Sequence, residues 1–402
     1  MKLTRNLKKF FETTSLSGVV LMLCVIISLL IANSPLGNDF QNFLDTHVGI
    51  DNIHLKIPLH LWVNDGLMTV FFLLVGLEIK RELVRGELSD IKNAALPIFA
   101  AIGGMMVPAL IYYSLNAGTP YARSWGIPMA TDIAFSLAIL SMLGNKVPNS
   151  IKIFLAALAI VDDLGAIIVI AVFYSQNLSW FYLSVCFGIV ILLLVFNKVL
   201  KVKNLIFYLI PGITLWYFMH LSGIHATIAG VLLALTIPSR GKPHKNSPLE
   251  HLEDRLEFPV NFIIMPLFVL VNTAIIFQKE MIEGLTSTLS IGIIVGLCLG
   301  KVIGIASFSF LSIKMKICKM PSNSNWNQII GVGFLAGIGF TMSIFMAVLS
   351  YKENTIMQSE AKFSILLASI ISGFTGYQVL KQSSKRKRKR ANKRTPLLYK
   401  NF

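Results

Sequence analysis

The sequence predicts an all-α membrane protein with about twelve transmembrane helices, and three observations predict it. First, 54% of the 402 residues are hydrophobic and only 14% are charged, with a mean hydropathy of +0.69. A soluble domain carries roughly a quarter charged residues, so a soluble enzyme could not cover such a core with polar surface. Second, the apolar residues fall in runs near the ~20 residues that a bilayer crossing needs. Third, Lys and Arg concentrate in every second loop, as expected of a chain that threads back and forth across a membrane.

The runs lie near 16–35, 59–80, 95–116, 121–143, 150–175, 179–199, 205–220, 223–237, 257–278, 288–312, 327–350 and 357–380. The first follows Lys2, Arg5, Lys8 and Lys9. Its core is close to span length and Asn33-Ser34-Pro35 is a poor cleavage site, which favours a retained helix over a signal peptide. Between the first two runs lies an acidic segment with Asp39, Asp45 and Asp51. There Val48, Ile50, Ile53, Leu55 and Ile57 flank Asp51-Asn52, so residues 47–58 read as a short β-hairpin with a two-residue turn or as an irregular loop. A hairpin alone is marginal in water, so it needs something to lean on, such as a second copy of the chain. In the fourth run, Gly126 and Pro128 interrupt the helix just before Thr131 and Asp132, because proline lacks a donor and disfavours helix at the preceding residue. The seventh and eighth runs are separated only by His220, Ser222 and Gly223. The eleventh contains four glycines, Gly331, Gly333, Gly337 and Gly339, and these predict a second interruption. Two broken spans in a polytopic chain point to a transporter with inverted-topology repeats. Cys24, Cys186, Cys298 and Cys318 are too scattered for a disulfide framework or a thiolate metal site.

Charge placement gives the orientation. Thirty of the 36 Lys and Arg fall on the side of the N-terminus and five on the other (Lys56, Arg123, Lys279, Lys352 and Lys362). Lys301 lies inside a span. The asymmetry predicts that both termini are cytoplasmic, which requires an even number of spans. Net charge is +16, but the last 22 residues supply ten of the basic groups and no acid. The basicity is therefore a tail and loops, not a nucleic-acid-binding domain. Residues 1–383 read as one transmembrane domain and 384–402 as a basic cytoplasmic tail. Its run Lys385-Arg386-Lys387-Arg388-Lys389-Arg390 suits topology fixing or contact with anionic membrane lipids.

Six charges fall inside apolar runs: Asp65, Glu78, Asp132, Asp162, Asp163 and Lys301. Each costs about 2.5–3.5 kcal/mol at a helix centre on insertion scales. Such residues face a cavity or a partner, and they mark ion or proton routes. Asp162-Asp163 is the sharpest feature. Two adjacent carboxylates at mid-span cannot both ionise cheaply, since burial and mutual repulsion both favour protonation. At least one holds a proton near neutral pH unless a cation replaces it. A group that binds either a proton or a hard cation is the minimal part of an exchanger. Lys301 needs a negative partner, and the aspartates are the candidates. Glu78, Lys80, Arg81 and Glu82, with Glu250, His251, Glu253, Asp254, Arg255 and Glu257, form either solvated helix ends or a charged mouth that concentrates cations and senses pH. His225 reads first as a hydrogen-bonded structural histidine, with pH sensing as the alternative.

At these residues the chain resembles the NhaA family of bacterial Na+/H+ antiporters. The matching strings are Phe71–Leu83 (FFLLVGLEIKREL), Thr131–Phe135 (TDIAF), Ile153–Ile168 (IFLAALAIVDDLGAII), Gly223–Gly230 (GIHATIAG) and Gly337–Phe345 (GIGFTMSIF). The resemblance covers nearly all of the chain except the basic tail. It implies twelve helices in two inverted repeats, with discontinuous spans four and eleven crossing at the ion site. It makes Asp163 the principal Na+ ligand, with Asp162 paired to Lys301 or joining the site. It sets Thr131 and Asp132 along that site, with Asp132 and Lys301 offsetting the half-helix dipoles. Glu78 then stands in the cytoplasmic funnel, with Glu82, His225, Glu250, His251 and Asp254 in the pH response. The implied activity is electrogenic, pH-activated exchange of Na+ or Li+ for H+ across the bacterial cytoplasmic (inner) membrane. It needs no cofactor and no enzymatic step, and the protein is a homodimer through residues 47–58. One departure concerns the proline that opens the ninth span. Family members often carry Glu-His just before it, whereas Pro259 here follows Asp254-Arg255, and Glu250-His251 lies four residues earlier. Two rivals fit the residues less well. An intramembrane aspartyl protease needs its aspartates on separate helices, and a bile-acid-type sodium symporter needs an organic solute.

Overall fold

The computed structural model describes residues 2–53, 55–175, 178–239, 247–277, 283–352 and 354–394, with side chains described at these positions except 2–15, 53, 87, 91, 145 and 384–394. Lys279 and three of the thirty basic residues counted on the other side, Arg240, Lys242 and Lys245, lie outside the described residues, as do 395–402 of the basic tail.

The described chain is mostly helical. Helix α1 (Lys2–Ala32) begins well before the apolar run that predicts it and bends by 110° into the short α2 (Gly37–Leu44). A two-stranded antiparallel ribbon follows, β1 (His47–Val48) and β2 (Ile57–Pro58), with Val48 opposite Ile57. The expected hairpin is present, but its two-residue turn is not. The connection between the strands is longer and contains a 3-10 turn at Asp51–Ile53, with a Lys56–Asp51 ion pair of 2.8 Å across it. The strands are too short for the alternating run to pair throughout. The Trp62 indole donates to the Val48 carbonyl at 2.9 Å and ties the ribbon to the next helix.

That helix opens with a single α-helical turn, Leu59–Leu61, passes through a π-helical segment, Trp62–Leu67, and continues as α3 (Met68–Arg85). Next come α4 (Ile91–Asn116), α5 (Ile133–Met142), α6 (Asn149–Phe173), α7 (Trp180–Lys198), α8 (Ile206–Ser222) and α9 (Ile228–Thr236). The weak boundary between the seventh and eighth runs is a real break, because Gly223 takes a left-handed φ of 85° that ends α8. Then α10 (Pro248–Pro259) passes through a π-helical segment, Val260–Ile264, into α11 (Met265–Asn272). Helix α12 (Thr288–Val295) likewise passes through a π-helical segment, Gly296–Gly300, into α13 (Lys301–Lys314). The chain closes with α14 (Trp326–Ala336), α15 (Phe340–Ser350) and the 40-residue α16 (Thr355–Arg394).

Among the described residues, six helical stretches are long and apolar enough to cross a membrane, or up to eight if the bent pairs α1/α2 and α14/α15 each count as one span. The sequence reading expects about twelve. The difference lies where helices are short or interrupted. The second run is split by the π-helical segment Trp62–Leu67, α8 has 17 residues and α9 nine, and the ninth run is divided between α10, a π-helical segment and α11. The outward surface is apolar: Trp180, Phe187, Ile213 and Phe374 are each at least 67% exposed. In a soluble protein this would be a severe liability, whereas in lipid it costs nothing. The chain is a multi-pass membrane protein.

Packing inside the bundle is what positions the buried charges. Helices α4 and α13 cross almost in backbone contact, so that a methyl group on Gly304 would sit 2.1 Å from the Gly103 carbonyl oxygen. Small residues at such crossings replace the hydrophobic drive that lipid removes. This crossing fixes Lys301, one turn earlier on α13, inside the bundle.

Candidate ion-binding site

Two chain breaks meet at the centre of the molecule. In the first, a 3-10 turn at Ile127–Met129 containing Pro128 gives way to extended backbone at Ala130 (ψ 152°) and Asp132 (φ −86°, ψ 107°) before α5 begins. The second is the 337–339 interruption between α14 and α15, bent by 43°. Each break frees backbone groups that lipid could not satisfy, and each satisfies the other. The Asp132 N–H donates to the Ile338 carbonyl at 2.7 Å, Ser136 Oγ to the Leu335 carbonyl at 2.8 Å and Ser343 Oγ to the Ile127 carbonyl at 2.7 Å. Gly339 permits the crossing, since a Cβ there would lie 2.2 Å from Ser343 Oγ and 3.0 Å from the Ala130 carbonyl oxygen.

Asp132 holds the crossing together. Its Oδ1 caps α5 by accepting the Phe135 N–H at 3.1 Å. Its Oδ2 accepts the Thr341 N–H at 3.0 Å and the Thr341 hydroxyl at 2.5 Å, in the first turn of α15. One carboxylate thus faces the positive ends of two half-helices, an arrangement favoured by the dipole and by the unsatisfied amides. Both of its oxygens accept from protein donors, so Asp132 links the two breaks.

Asp162 and Asp163 sit midway along the unbroken α6, 0% and 2% exposed. Successive residues on a helix point about 100° apart, so the two carboxyls face different neighbours. Asp162 Oδ2 meets Lys301 Nζ at 2.5 Å, and Lys301 is itself 0% exposed. Thr131 completes the group. Its hydroxyl accepts from Lys301 Nζ at 3.0 Å and lies 2.5 Å from Asp162 Oδ2 and 2.9 Å from the Ala336 carbonyl oxygen at the end of α14. With one proton, it donates to one of those two at a time. Oδ1 of Asp162 and Oδ1 of Asp163 are both buried without a hydrogen-bond partner. Leaving a buried polar atom unsatisfied costs about 1–3 kcal/mol, and more when the group is charged. Protonation of the carboxyl or coordination of a small hard cation would offset that cost at either oxygen. Lys301 follows directly on the π-helical segment Gly296–Gly300, and such segments are frequent at functional sites.

The remaining predicted residues divide into two places. At the far end of α3, Arg81 pairs with Glu82 at 3.0 Å and with Glu253 at 2.8 Å, and Arg85 pairs with Glu250 at 3.1 Å. Glu250 also closes a capping box with Ser247 at the start of α10. Glu78 lies one turn deeper on α3, partly buried, while His251 and Asp254 are exposed on α10. Burial pushes the Glu253 carboxyl up to about 7 despite the opposing pull of Arg81, and its Oε2 has no hydrogen-bond partner. His225 is elsewhere. It is buried at the start of the α9 segment, with Nδ1 2.8 Å from Thr227 Oγ1 and Nε2 3.4 Å from Asp65 Oδ1. Asp65 and Glu78 are 13 residues apart on one continuous helical stretch, or about 20 Å, so the structure does not bring His225 to the Glu78 cluster. His220 approaches the same Asp65 at 3.6 Å.

Several participants were not singled out from the sequence. Thr341 lies inside a quoted string, but its bond to Asp132 spans 209 positions. The pairing of Asp65 with His220 and His225 and the reciprocal amide pair Asn64–Asn272, at 2.7 and 3.3 Å, are equally long-range. Their signal was a polar residue inside an apolar run, which marks a partner without naming it.

Known proteins resemble the chain over nearly its whole length. The family model described as Na+/H+ antiporter 1 matches residues 8–380. The Na(+)/H(+) antiporter NhaA 2 of Flavobacterium johnsoniae is 56% identical over 381 residues, covering 94% of this chain and 93% of that protein. The Na(+)/H(+) antiporter NhaA of Flavobacterium psychrophilum is 51% identical, covering 95% of this chain and 97% of that protein. The Na(+)/H(+) antiporter NhaA of Dechloromonas aromatica is 49% identical, covering 94% and 95%. With a full-length family match and half-identical relatives of its own size, the chain belongs to the NhaA family of Na+/H+ antiporters.

Proposed function

We propose that the protein exports Na+ or Li+ in exchange for protons, using Asp162 and Asp163 as the site that both ions share. The observation that carries this reading is the pair of buried carboxyl oxygens without partners beside the crossing of two broken helices. In the proton-loaded form the carboxyls are neutral and tolerate burial. In the cation-loaded form Na+ replaces the protons, with Asp163 as principal ligand and Asp162, Thr131 and the region around Asp132 lining the site. When one Na+ replaces the protons of two carboxyls, more than one proton moves per Na+, and the cycle carries net charge. Lys301 holds Asp162 in place and pairs with its carboxylate when the proton leaves. Movement of the crossed segments against α6 and α13 opens the site to one side and then the other. No cofactor is needed for this cycle, and no covalent step occurs in it.

In this reading the twelve apolar runs are twelve spans in two inverted repeats. The protein lies in the bacterial inner membrane with both termini in the cytoplasm, as the charge asymmetry of thirty against five indicates. The Glu78, Glu82, Glu250, His251 and Asp254 region is then the cytoplasmic mouth, where pH acts, with His225 contributing from the external side. The ribbon at residues 47–58 joins two copies in a dimer. The test is dequenching of a trapped pH dye on adding Na+ to proteoliposomes. The reading expects a response in wild type and none, or a crippled one, in Asp163→Asn and Asp162→Asn that reconstitute at wild-type levels. A normal response in either variant would overturn the site assignment.

A further inference from the structure

We propose that the basic surface where α16 leaves the membrane is a binding site for the phosphodiester headgroups of anionic phospholipids. The proposal rests on the orientation above, which places this end of α16 in the cytoplasm. Helix α16 runs without a break from Thr355 to Arg394. Leu380 is 0% exposed, and Ser383 Oγ donates to Asn325 Oδ1 at 3.0 Å, so the helix is held by the bundle up to that point. Asn325 caps α14 and follows directly on the loop from α13. Lys314, Lys316 and Lys319, at the end of α13 and in that loop, are all exposed. Lys385 to Arg390 follow on α16 as six consecutive basic residues. Two segments distant in sequence therefore bring cations to one end of the bundle.

Nothing in these stretches neutralises them. No Asp or Glu occurs from residue 284 to 352 or after Glu360. With a rise of 1.5 Å per residue, the six positions stand about 3 to 10 Å beyond Ser383, within roughly one Debye length of a headgroup layer. Trp326 and Phe310 pack together at 5.7 Å beside Lys314, whose Nζ lies 5.9 Å from the Phe310 ring; aromatic residues of this kind belong at the membrane–water boundary. The family match ends at residue 380, so the basic run lies outside the matched region.

The test is native mass spectrometry of the full-length protein in detergent, with phosphatidylglycerol, phosphatidylcholine, soluble glycerol phosphate and a single-stranded oligonucleotide each added. Wild type should retain phosphatidylglycerol over phosphatidylcholine, with a preference that falls as salt rises. A variant with Lys385, Arg386, Lys387, Arg388, Lys389 and Arg390 all changed to Gln should lose at least about tenfold in that preference. It should keep wild-type melting and wild-type Na+-driven exchange. Lys314→Gln with Lys316→Gln and Lys319→Gln should lose a smaller part. An unchanged preference in the six-residue variant, equal retention of the two lipids by wild type, or tighter binding of the oligonucleotide or of glycerol phosphate than of phosphatidylglycerol would each overturn the proposal. Lipid retention is read without transport, so failure of the exchange assay would leave this result intact.

Discussion

Replacing Lys301 by Ala should destabilise the protein in a way that depends on pH. The ammonium and the Asp162 carboxyl are both 0% exposed and 2.5 Å apart. Removing one partner of a buried pair costs about 3–5 kcal/mol, because the remaining charge is left uncompensated. The stranded carboxylate has one escape, which is to take up a proton. Relative to an ordinary aspartate near 3.9, that costs about 1.36 kcal/mol for each pH unit above it, hence roughly 6 kcal/mol at pH 8.5 and about 1.5 kcal/mol at pH 5. At pH 8.5 escape is dearer than the stranded charge, so the full loss of about 3–5 kcal/mol appears. At pH 5 escape is cheaper and caps the loss near 1.5 kcal/mol. The sign follows from proton binding: in the variant, the folded state holds a proton that the unfolded chain has released, so stability falls as pH rises. The assay is thermal melting of purified Lys301→Ala and wild type across pH 5 to 8.5. The gap in melting temperature should widen severalfold with pH. A variant that melts like wild type at alkaline pH, or a gap independent of pH, would refute the pairing as the source of the stability.

Glu253, held up to about 7 by burial, predicts a second pH effect. Folded protein keeps this proton while the unfolded chain releases it above about 4.5, so this group's contribution to stability falls between pH 4.5 and 7 and stays lost above. Glu253→Gln should remove that slope, worth roughly 1–3 kcal/mol after allowing for the lost Arg81 pair, and melting curves at pH 5 and 8 with identical differences would contradict it. Thr341→Val removes the hydroxyl that reaches Asp132 and should cost about 1–2 kcal/mol in stability; unaltered melting would show that the two breaks are not held by this bond. Deleting residues 47–58 should leave a folded, exchanging monomer, and cross-linked dimers persisting after the deletion would remove the ribbon from the interface. The Na+ concentration for half-maximal exchange should rise as pH falls, by more than tenfold per unit if two coupled carboxyls titrate together. Neutralising Glu250, His251, Glu253 and Asp254 should leave that slope intact, whereas its disappearance would move control from the aspartates to the mouth.

Much of the site was legible because lipid makes exceptions conspicuous. Asp162, Asp163 and Lys301 stand out in apolar runs, since an ionisable group there needs a partner or a cavity. Gly126 with Pro128, and the four glycines from 331 to 339, announced breaks for local backbone reasons; the first occurs there, and the second falls at 337–339, with Gly331 and Gly333 inside α14. How the breaks engage was not legible, since the Asp132–Thr341 contact joins residues 209 apart and neither carries a local signal for the other. Asp65 was visible as an anomaly and His225 as an isolated histidine, but their meeting depends on how α9 packs against α3. The hairpin turn was misread because the alternation of Val48, Ile50, Ile53, Leu55 and Ile57 suits longer strands than Gly49 and the Lys56–Asp51 pair allow. The span count shows the same limit. Hydropathy finds apolar runs, but π-helical segments and breaks such as 62–67 and 260–264 divide them into helices that no longer meet a simple length criterion.

The central claim is that Na+ and protons compete for one pair of carboxyls. Its most direct measurement is the number of protons released into weakly buffered detergent solution when Na+ is added to the purified protein. Wild type should release more than one proton per Na+ bound at a pH where the site is proton-loaded, and Asp163→Asn should bind no Na+ and release none. Release of the same number of protons by Asp163→Asn, or Na+ binding by wild type without proton release at any pH, would contradict the account.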